Sequence, residues 1–460
     1  MKSDNDGSYM AATAVSPVMG ATSTASAWRI EPVGPLRGEV RISGAKNAVT
    51  KLMVAALLGE SPSTVTNAPR LGDVDITAGM LSALGAGIGI ESAGEGEPDT
   101  ITVDPTGALS SRIPVNYSGL NRVPILLIGP LLHRVGEAFV PLMGGDRIGS
   151  RPVDFHVEAL RRFGAEVEVT PHGLEAKASV LTGTRLRLAF PSVGATETVL
   201  LTAVKAEGRT ILENAAIEPE VVELALFLQR MGARIELQPD RRFVVEGVPH
   251  LTGATQCLGG DRIEAFSYLV AGLATGGRVR IVGCRQDRLV TALTTLQRMG
   301  ATVRIDDTGI SAEAEKLRPG TLATSPHPGF MTDWLPPLLV LCTRAQGQSV
   351  VHETVFEDRL GFAETLRVMQ ADVELFARCL VDGACRFHES GSLHSAQVRG
   401  GGALAGAEMA MPDIRAAFAY VIAAAAADGP SVLSGVHHLE RGYHHPLAKF
   451  AALGLPIGAD

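Results

Sequence analysis

Between Pro141 and His156 the chain reads Pro-Leu-Met-Gly-Gly-Asp-Arg-Ile-Gly-Ser-Arg-Pro-Val-Asp-Phe-His, so that Gly144, Gly145 and Gly149 surround one carboxylate, Asp146, and two guanidinium groups, Arg147 and Arg151. Glycines at this density let a backbone bend closely around a bound molecule or swing over it as a lid. Asp146 then stands on a mobile tip. Arg151-Pro152-Val153-Asp154 reads as the start of a helix with proline near its first turn, and an arginine beside exposed amide groups suits an anionic guest. The same residues also fit an ordinary surface turn.

Other charged and polar residues fall at the starts of predicted helices: Lys46-Asn47, Arg122, Ser192-Val193-Gly194-Ala-Thr196, Arg262, Asp333 and Asp413-Ile-Arg415. A second group, Arg151, Glu218-Pro-Glu220, Arg288, Arg359 and Arg441, precedes another series of helices. Helix N-termini carry positive dipole ends and unpaired amides. If the buried helices of a domain share a direction, their starts converge on one face, and two such faces opposed across a hinge form an arginine-rich cleft. Phosphates and carboxylates are its natural guests.

The elements that must position these groups repeat. Leu81-Ser-Ala-Leu-Gly-Ala, Leu160-Arg-Arg-Phe-Gly-Ala, Leu228-Gln-Arg-Met-Gly-Ala, Leu296-Gln-Arg-Met-Gly-Ala, Leu366-Arg-Val-Met-Gln-Ala and Phe450-Ala-Ala-Leu-Gly-Leu each close an amphipathic pattern. Glycine, or Gln370 once, stands where a left-handed cap is favoured, and most copies lead into an alternating strand such as Glu166-Val-Glu-Val. Interleaved with them are apolar helices followed by a glycine: Leu52 to Gly59, Ile125 to Gly136, Val199 to Gly208, Tyr268 to Gly276, Leu338 to Gly347 and Val421 to Gly429. The period, roughly 70 to 85 residues, exceeds that of a solenoid and suits a unit of two helices with several strands. Six units give three per domain. Helices apolar on all sides belong inside each unit, with sheets packed outside them.

The chain of 460 residues, 46% hydrophobic, is globular and long enough for two domains with large cores. A net charge of -8 argues against nucleic acid as a partner, because phosphate-backbone binding needs a clustered basic excess. Cys257, Cys284, Cys342, Cys379 and Cys385 are odd in number, scattered and without a CxxC pair, which suits free thiols in the cytoplasm better than disulfides or zinc. Residues 1–27, rich in Ser, Ala, Thr and Gly, read as a floppy tail with neither signal peptide nor anchor. The most apolar run, Ala416 to Ala427, is far short of the ~20 residues that span a bilayer, so no membrane is expected.

With these helix starts assembled, the chain from about residue 30 onward resembles the enolpyruvyl transferases, most closely the UDP-N-acetylglucosamine 1-carboxyvinyltransferase family. The carriers are Ser43-Gly-Ala-Lys-Asn47, Pro69-Arg-Leu-Gly-Asp-Val-Asp75, Gly144 to Asp154, Pro191 to Glu197, Glu218-Pro-Glu220, Asp261-Arg-Ile-Glu264, Met331-Thr-Asp-Trp334, Glu353 to Glu357 with Arg359, and Arg441-Gly-Tyr443. The resemblance implies two inverse α/β barrel domains, each of three repeated units: residues 46–259 with the catalytic loop, and residues 28–45 plus 260–460. It also implies transfer of the enolpyruvyl group of phosphoenolpyruvate to a hydroxyl of a uridine nucleotide, with no metal and no organic cofactor.

Carried over position by position, Lys46, Arg122, Arg151, Arg415 and Arg441 grip the phosphoenolpyruvate anions, and Asp333 takes or orients the hydroxyl proton. Asn47 meets the sugar substituent, Arg151, Pro152, Val153, Asp154 and Phe155 hold the uracil, Ser192, Val193 and Gly194 offer amides to the nucleotide phosphate, and Val355 and Arg359 complete the binding set. Asp146 stands where many family members carry cysteine. A carboxylic acid can deliver a proton to C3 but is a poor nucleophile, so resistance to the epoxide fosfomycin is expected. Further departures are Thr50-Lys51, the neighbours Asn121, Val123 and Pro124 of Arg122, Gln370, and a longer tail to the fifth unit at Gly391 to Ala407. The leading acceptor is the 3-hydroxyl of UDP-N-acetylglucosamine. The alternatives are UMP or another uridine nucleotide in nucleoside-antibiotic synthesis, and an inactive nucleotide-binding relative. A shikimate phosphate would leave the Arg151 to Asp154 run without a purpose.

Overall fold

The computed structural model describes residues 27–459, apart from Glu95, Arg147 and Ala384 and the side chains of Arg415 and Ala459. The tail expected over residues 1–27 lies outside the described residues except for Ala27, which opens a strand.

Thirteen α-helices form among the described residues: α1 (Lys46–Ala56), α2 (Gly72–Ala83), α3 (Ile128–Val135), α4 (Asp154–Arg162), α5 (Val193–Ala203), α6 (Pro219–Arg230), α7 (Arg262–Ala274), α8 (Val290–Arg298), α9 (Leu335–Arg344), α10 (Phe362–Val368), α11 (Ile414–Ala425), α12 (His437–Gly442) and α13 (Pro446–Ala452). Both sequence sets are present in full. The apolar set gives α1, α3, α5, α7, α9 and α11, and burial follows its composition: every residue of α7 is buried. The other set gives α2, α4, α6, α8, α10 and α13, which bury one face only; in α4 that face is His156, Val157, Ala159 and Leu160. The stop position is left-handed even where glycine is absent, with φ of +67° at Gln370 against +98° at Gly164.

The strands of the described residues form six separate sheets, five of four strands and one of three, rather than one closed ring. Each four-stranded sheet has one parallel pair and two antiparallel pairs. In one, Arg185–Arg187 runs parallel to Arg209–Glu213, which pairs with Arg242–Glu246, which pairs with Arg234–Gln238. Two sheets are completed by the first strands of the chain: Ala27–Ile30 lies between Ser431–Ser434 and Ile457–Ala459, and Arg37–Arg41 runs parallel to Arg278–Val282.

Two hydrophobic cores result. One spans Ala45 to Leu258; the other joins Trp28 to Ile42 with Ala265 to Leu455. The chain passes between them twice, side by side, with Ala45 N donating to Gly259 O at 2.9 Å and Asp261 N to Ser43 O at 2.9 Å. Helices pack inside each core and sheets outside, the α/β arrangement expected.

Pro152 stands just before α4, whose N-cap is Val153, near the first turn as expected. Three sequence expectations are corrected. Arg122 does not open α3; a 3-10 turn, Val123–Leu127, intervenes, since Pro130 has no amide to donate to Leu126 in an α-helix continued from Arg122. The extra length of the fifth unit overlaps Gly391 to Ala407 only at 391–394: Ser395–Gly400 is an ordinary strand, and the long segment is the turn from 377 to 394 that precedes it. The corresponding turns elsewhere are shorter, residues 92–98, 171–172, 239–241 and 306–308. The cysteines are not all scattered: Cys379 and Cys385 meet His352 and His394 through that turn.

Candidate active site

The site is built around a carboxylate that the sequence reading passed over. Asp73, in the first turn of α2, receives Lys46 Nζ at 2.7 Å from the start of α1 and Arg441 Nε at 2.8 Å from α12. Burial would raise the Asp73 pKa, but Lys46 and Arg441 outweigh it and hold it down to about 2. Arg441 also donates to the carbonyl of Leu120, so one guanidinium ties the two cores together.

The glycine-rich segment lies against the opposite core. Ser150 donates from its amide and its hydroxyl to Glu357 Oε1, both at 2.8 Å, and Asp358 N donates to Ile148 O at 3.2 Å. Gly149 permits this docking: its φ is +141°, and a Cβ there would lie 2.4 Å from the Glu357 carboxylate. Asp146 Oδ1 accepts from the amide of Ile414 at 3.3 Å, at the start of α11. With Gly119, Leu120, Gly145, Pro412, His438 and Arg441 it lines a cavity of about 260 Å³.

Arg122 and Arg151 supply positive charge beside this loop. Among the described residues Arg122 has no ion-pair partner, and burial together with Arg151 lowers its pKa to about 10. Arg151, itself in a left-handed conformation at φ +44°, donates to Asp146 O at 3.3 Å and stands 5.8 Å over the Phe356 ring. Burial lowers its pKa, against the pull of Asp146 and Asp333. Burial depresses both guanidiniums, with Arg151 acting further on Arg122 and Arg359 on Arg151, and a bound anion would favour their charged forms.

Asp333 is the middle residue of the 3-10 turn before α9, Thr332–Trp334, and Arg359 Nη2 donates to its Oδ1 at 2.7 Å. Glu353, fully buried, accepts from Val355 N at 2.6 Å, Phe356 N at 3.0 Å and Thr332 Oγ1 at 2.9 Å. That network fixes the backbone carrying Val355 and joins it to the turn carrying Asp333.

The remaining expected residues line elements that meet here. Asn47 and Lys46 begin α1, both half-buried. Pro152 and Asp154 are exposed, and Val153 and Phe155 half-buried, at the start of α4. Ser192 caps α5, its hydroxyl accepting from Ala195 N at 3.4 Å, so the amides of Val193 and Gly194 remain at the helix end. Gly194 is held close to His156, whose ring a Cβ would meet at 3.0 Å. Arg415 stands in the first turn of α11; its side chain lies outside the described residues.

Not every charged helix start belongs to the cleft. Arg262 pairs with Glu220 at 2.9 Å and Arg288 with Glu223 at 2.8 Å, nearly dry contacts on the seam between the cores. Lys51, an odd residue in the sequence, faces Glu197 there. The sequence reading also missed His438, whose Nδ1 is buried without a hydrogen-bond partner among the described residues and whose surroundings include Asp146, Asp413 and Arg441. Its signal was the spacing to Arg441, three residues on along α12, which puts both on one face.

The profile of the EPSP synthase (3-phosphoshikimate 1-carboxyvinyltransferase) family matches residues 30–449. The chain is 41% identical over 433 residues to a UDP-N-acetylglucosamine 1-carboxyvinyltransferase of Protochlamydia amoebophila, covering 92% of each, and 40% identical over 429 residues to that of Chlamydia pneumoniae, covering 92% and 93%. Among solved structures, the enolpyruvyl transferase NikO from Streptomyces tendae superposes with a TM-score of 0.81 at 25% identity, over 94% of this chain and 98% of that one. An EPSP synthase from Acinetobacter baumannii gives 0.71 at 19% identity, over 94% and 99%. With its inside-out α/β cores and a cationic cleft between them, the chain belongs to the EPSP synthase family and is an enolpyruvyl (carboxyvinyl) transferase.

Proposed function

We propose that this protein transfers the enolpyruvyl group of phosphoenolpyruvate to the 3-hydroxyl of UDP-N-acetylglucosamine, releasing phosphate, as a step toward peptidoglycan. The observation that carries this is the charge surplus of the cleft: Lys46 and Arg441 share one carboxylate, and Arg122 and Arg151 stand together beside the loop. Phosphoenolpyruvate brings a phosphate and a carboxylate, the groups such a set recognises. The relatives at about 40% identity, named for the UDP-N-acetylglucosamine reaction, point to the acceptor.

In this reading the two cores are the two closing domains, residues 46–259 and residues 28–45 with 260–460, and the cleft shuts when Asp146 and Ser150 reach across. The acceptor oxygen adds to C2 while a proton goes to C3; phosphate then leaves C2 as C3 returns a proton. Asp333, oriented by Arg359, takes the hydroxyl proton, and Asp146 supplies the C3 proton. Lys46, Arg122, Arg151, Arg415 and Arg441 hold the anions. Asn47 meets the sugar substituent, residues 151–155 the uracil, and the α5 start the nucleotide phosphate. Val355 and Arg359 complete the nucleotide pocket.

A second reading, a simpler uridine nucleotide such as UMP as acceptor, is favoured by the superposition on NikO together with the altered neighbours of Lys46 and Arg122. Phosphate release from phosphoenolpyruvate, measured with UDP-N-acetylglucosamine and with UMP, separates the two. Release with UMP alone would reverse the assignment, and release with neither would leave a nucleotide-binding protein.

A further inference from the structure

The turn from 377 to 394 lacks what normally holds a long turn in place. Phe387 is its one buried hydrophobic side chain among the described residues. So little apolar burial offsets little of the ordering entropy of such a segment, and small structures with this shortfall depend on a disulfide or a metal. The turn instead brings two thiols and an imidazole to a second imidazole. Cys385 Sγ lies 3.3 Å from Nε2 of His352, the last residue of strand Gly347–His352, and Cys379 Sγ lies 3.5 Å from Nε2 of His394.

We propose that His352, Cys379, Cys385 and His394 bind one tetrahedral metal ion, zinc by its ligand chemistry, which holds the turn from 377 to 394 onto the sheet that contains Gly347–His352 and Ser395–Gly400. One ligand atom from each residue lies within 4.8 Å of all the others. Four donors at zinc bond lengths of about 2.3 Å for sulfur and 2.0 Å for nitrogen would sit roughly 3.6 Å apart, so the set needs only a small contraction. Two sulfurs and two nitrogens in a tetrahedron select zinc over the hard cations.

The surroundings are those of a ligand set. His394 Nδ1 lies 2.8 Å from the carbonyl of Ser392, to which it donates, and this fixes the tautomer that turns the Nε2 lone pair toward Cys379. Phe387 N donates to Cys385 Sγ at 3.4 Å, a bond that stabilises a thiolate. His352 and His394 are both buried and are held by the sheet, with Glu353 N donating to His394 O at 2.8 Å. Binding releases the two thiol protons to solvent.

The role is structural. Arg386, next to the ligand Cys385, stacks 4.6 Å over Phe190, which belongs to the segment leading to α5 in the other core. The ion therefore fixes a contact between the cores beside the cleft, and it shares no residue with the cleft itself.

Metal analysis and cobalt(II) spectroscopy on the full chain test this. After growth with zinc and gel filtration, about one zinc per chain is expected, and the cobalt form should show thiolate charge-transfer and tetrahedral d–d absorption. The double variant Cys379→Ser with Cys385→Ser should lose both signals, and His388→Ala, removing an exposed neighbour 3.5 Å from Cys379 Sγ, should keep them. If the double variant does not fold, alkylation of the wild-type chain decides: zinc should protect Cys379 and Cys385 while exposed Cys257 reacts, and a chelator should expose them. Absence of retained metal, metal retained by the double variant, equal alkylation with and without zinc, or a Cys379–Cys385 disulfide in protein purified under reductant would overturn the assignment.

Discussion

Arg262 of α7 meets Glu220 of α6 with Nε and Nη2 at 2.9 and 3.0 Å from the two carboxylate oxygens, both groups almost fully shut off from water, whereas Arg441 meets Asp73 at 2.8 Å with a quarter of its side chain exposed. Both contacts join the two cores. On the seam, however, acids prevail: Glu197, Glu218, Glu220 and Glu223 face Arg262 and Arg288. Burial and its acidic neighbours push Glu197 up to about 7 despite Lys51, while Arg262 is held in place by Glu220 and by the Trp334 ring 5.5 Å away. In the cleft bases prevail, and it is Arg122 that is pushed, down to about 10. The same residue types thus serve opposite ends. A dry, fork-matched pair fixes two bodies against each other, and a half-wet surplus of one sign waits for a ligand of the other.

Five experiments would break or sharpen that contrast. Removing a seam arginine should damage stability most: Arg262→Ala leaves Glu220 buried without its partner, a cost of about 3–5 kcal/mol in denaturant unfolding. A loss near that expected of an exposed ion pair would mean the seam is wetter than it looks.

Removing a cleft cation should do the reverse. Lys46→Ala and Arg441→Ala should each lower turnover by roughly 100- to 1000-fold, with a smaller shift in the unfolding midpoint than Arg262→Ala. Wild-type rates would take these residues out of the site.

The acids of the cleft come next. Asp333→Asn and Asp146→Ala should each lose about 100-fold in turnover with nucleotide affinity retained, the scale of a lost proton-transfer group. A matching loss of affinity would make Asp333 a scaffold for Arg359 instead. Mass spectrometry after exposure to fosfomycin should find no adduct on wild-type Asp146 and an adduct in Asp146→Cys.

The smallest effect belongs to pH. A Glu197 value raised from 4.5 to about 7 favours the folded state fully below pH 4.5, where both states are protonated, and this contribution is lost as pH rises to about 7, because the unfolded chain ionises first. Glu197→Gln should remove that slope, so that its stability relative to wild type rises by on the order of 2 kcal/mol between pH 5 and 7. Parallel pH profiles would show that Glu197 is ionised in the fold.

The sequence by itself determined the helices, their alternation and the loop. Six stop signals and six apolar runs are local patterns, and local patterns survive into the fold because a helix that is apolar on all sides has nowhere to go but inside. The left-handed stop was legible even at Gln370, since the neighbouring copies fixed its role. The gathering of cations in the cleft was legible too, from their places at helix starts.

Tertiary structure alone decided which charges face each other. Arg262, Arg288 and Arg441 look alike along the chain, but α6 brings Glu220 and Glu223 to the first two, whereas α2 brings only Asp73 to the third, and that one must be shared with Lys46. Asp73 stood in a run that carried the resemblance, but its role between Lys46 and Arg441 was not legible, because the second of these partners lies hundreds of residues away. His352 and Cys379 likewise carry no spacing signature, since one stands at a strand end and the other across a long turn. Sequence fixes what each segment can bury within itself; which groups share a drop of low-dielectric space depends on how the segments are stacked, and charge interactions are strong only there.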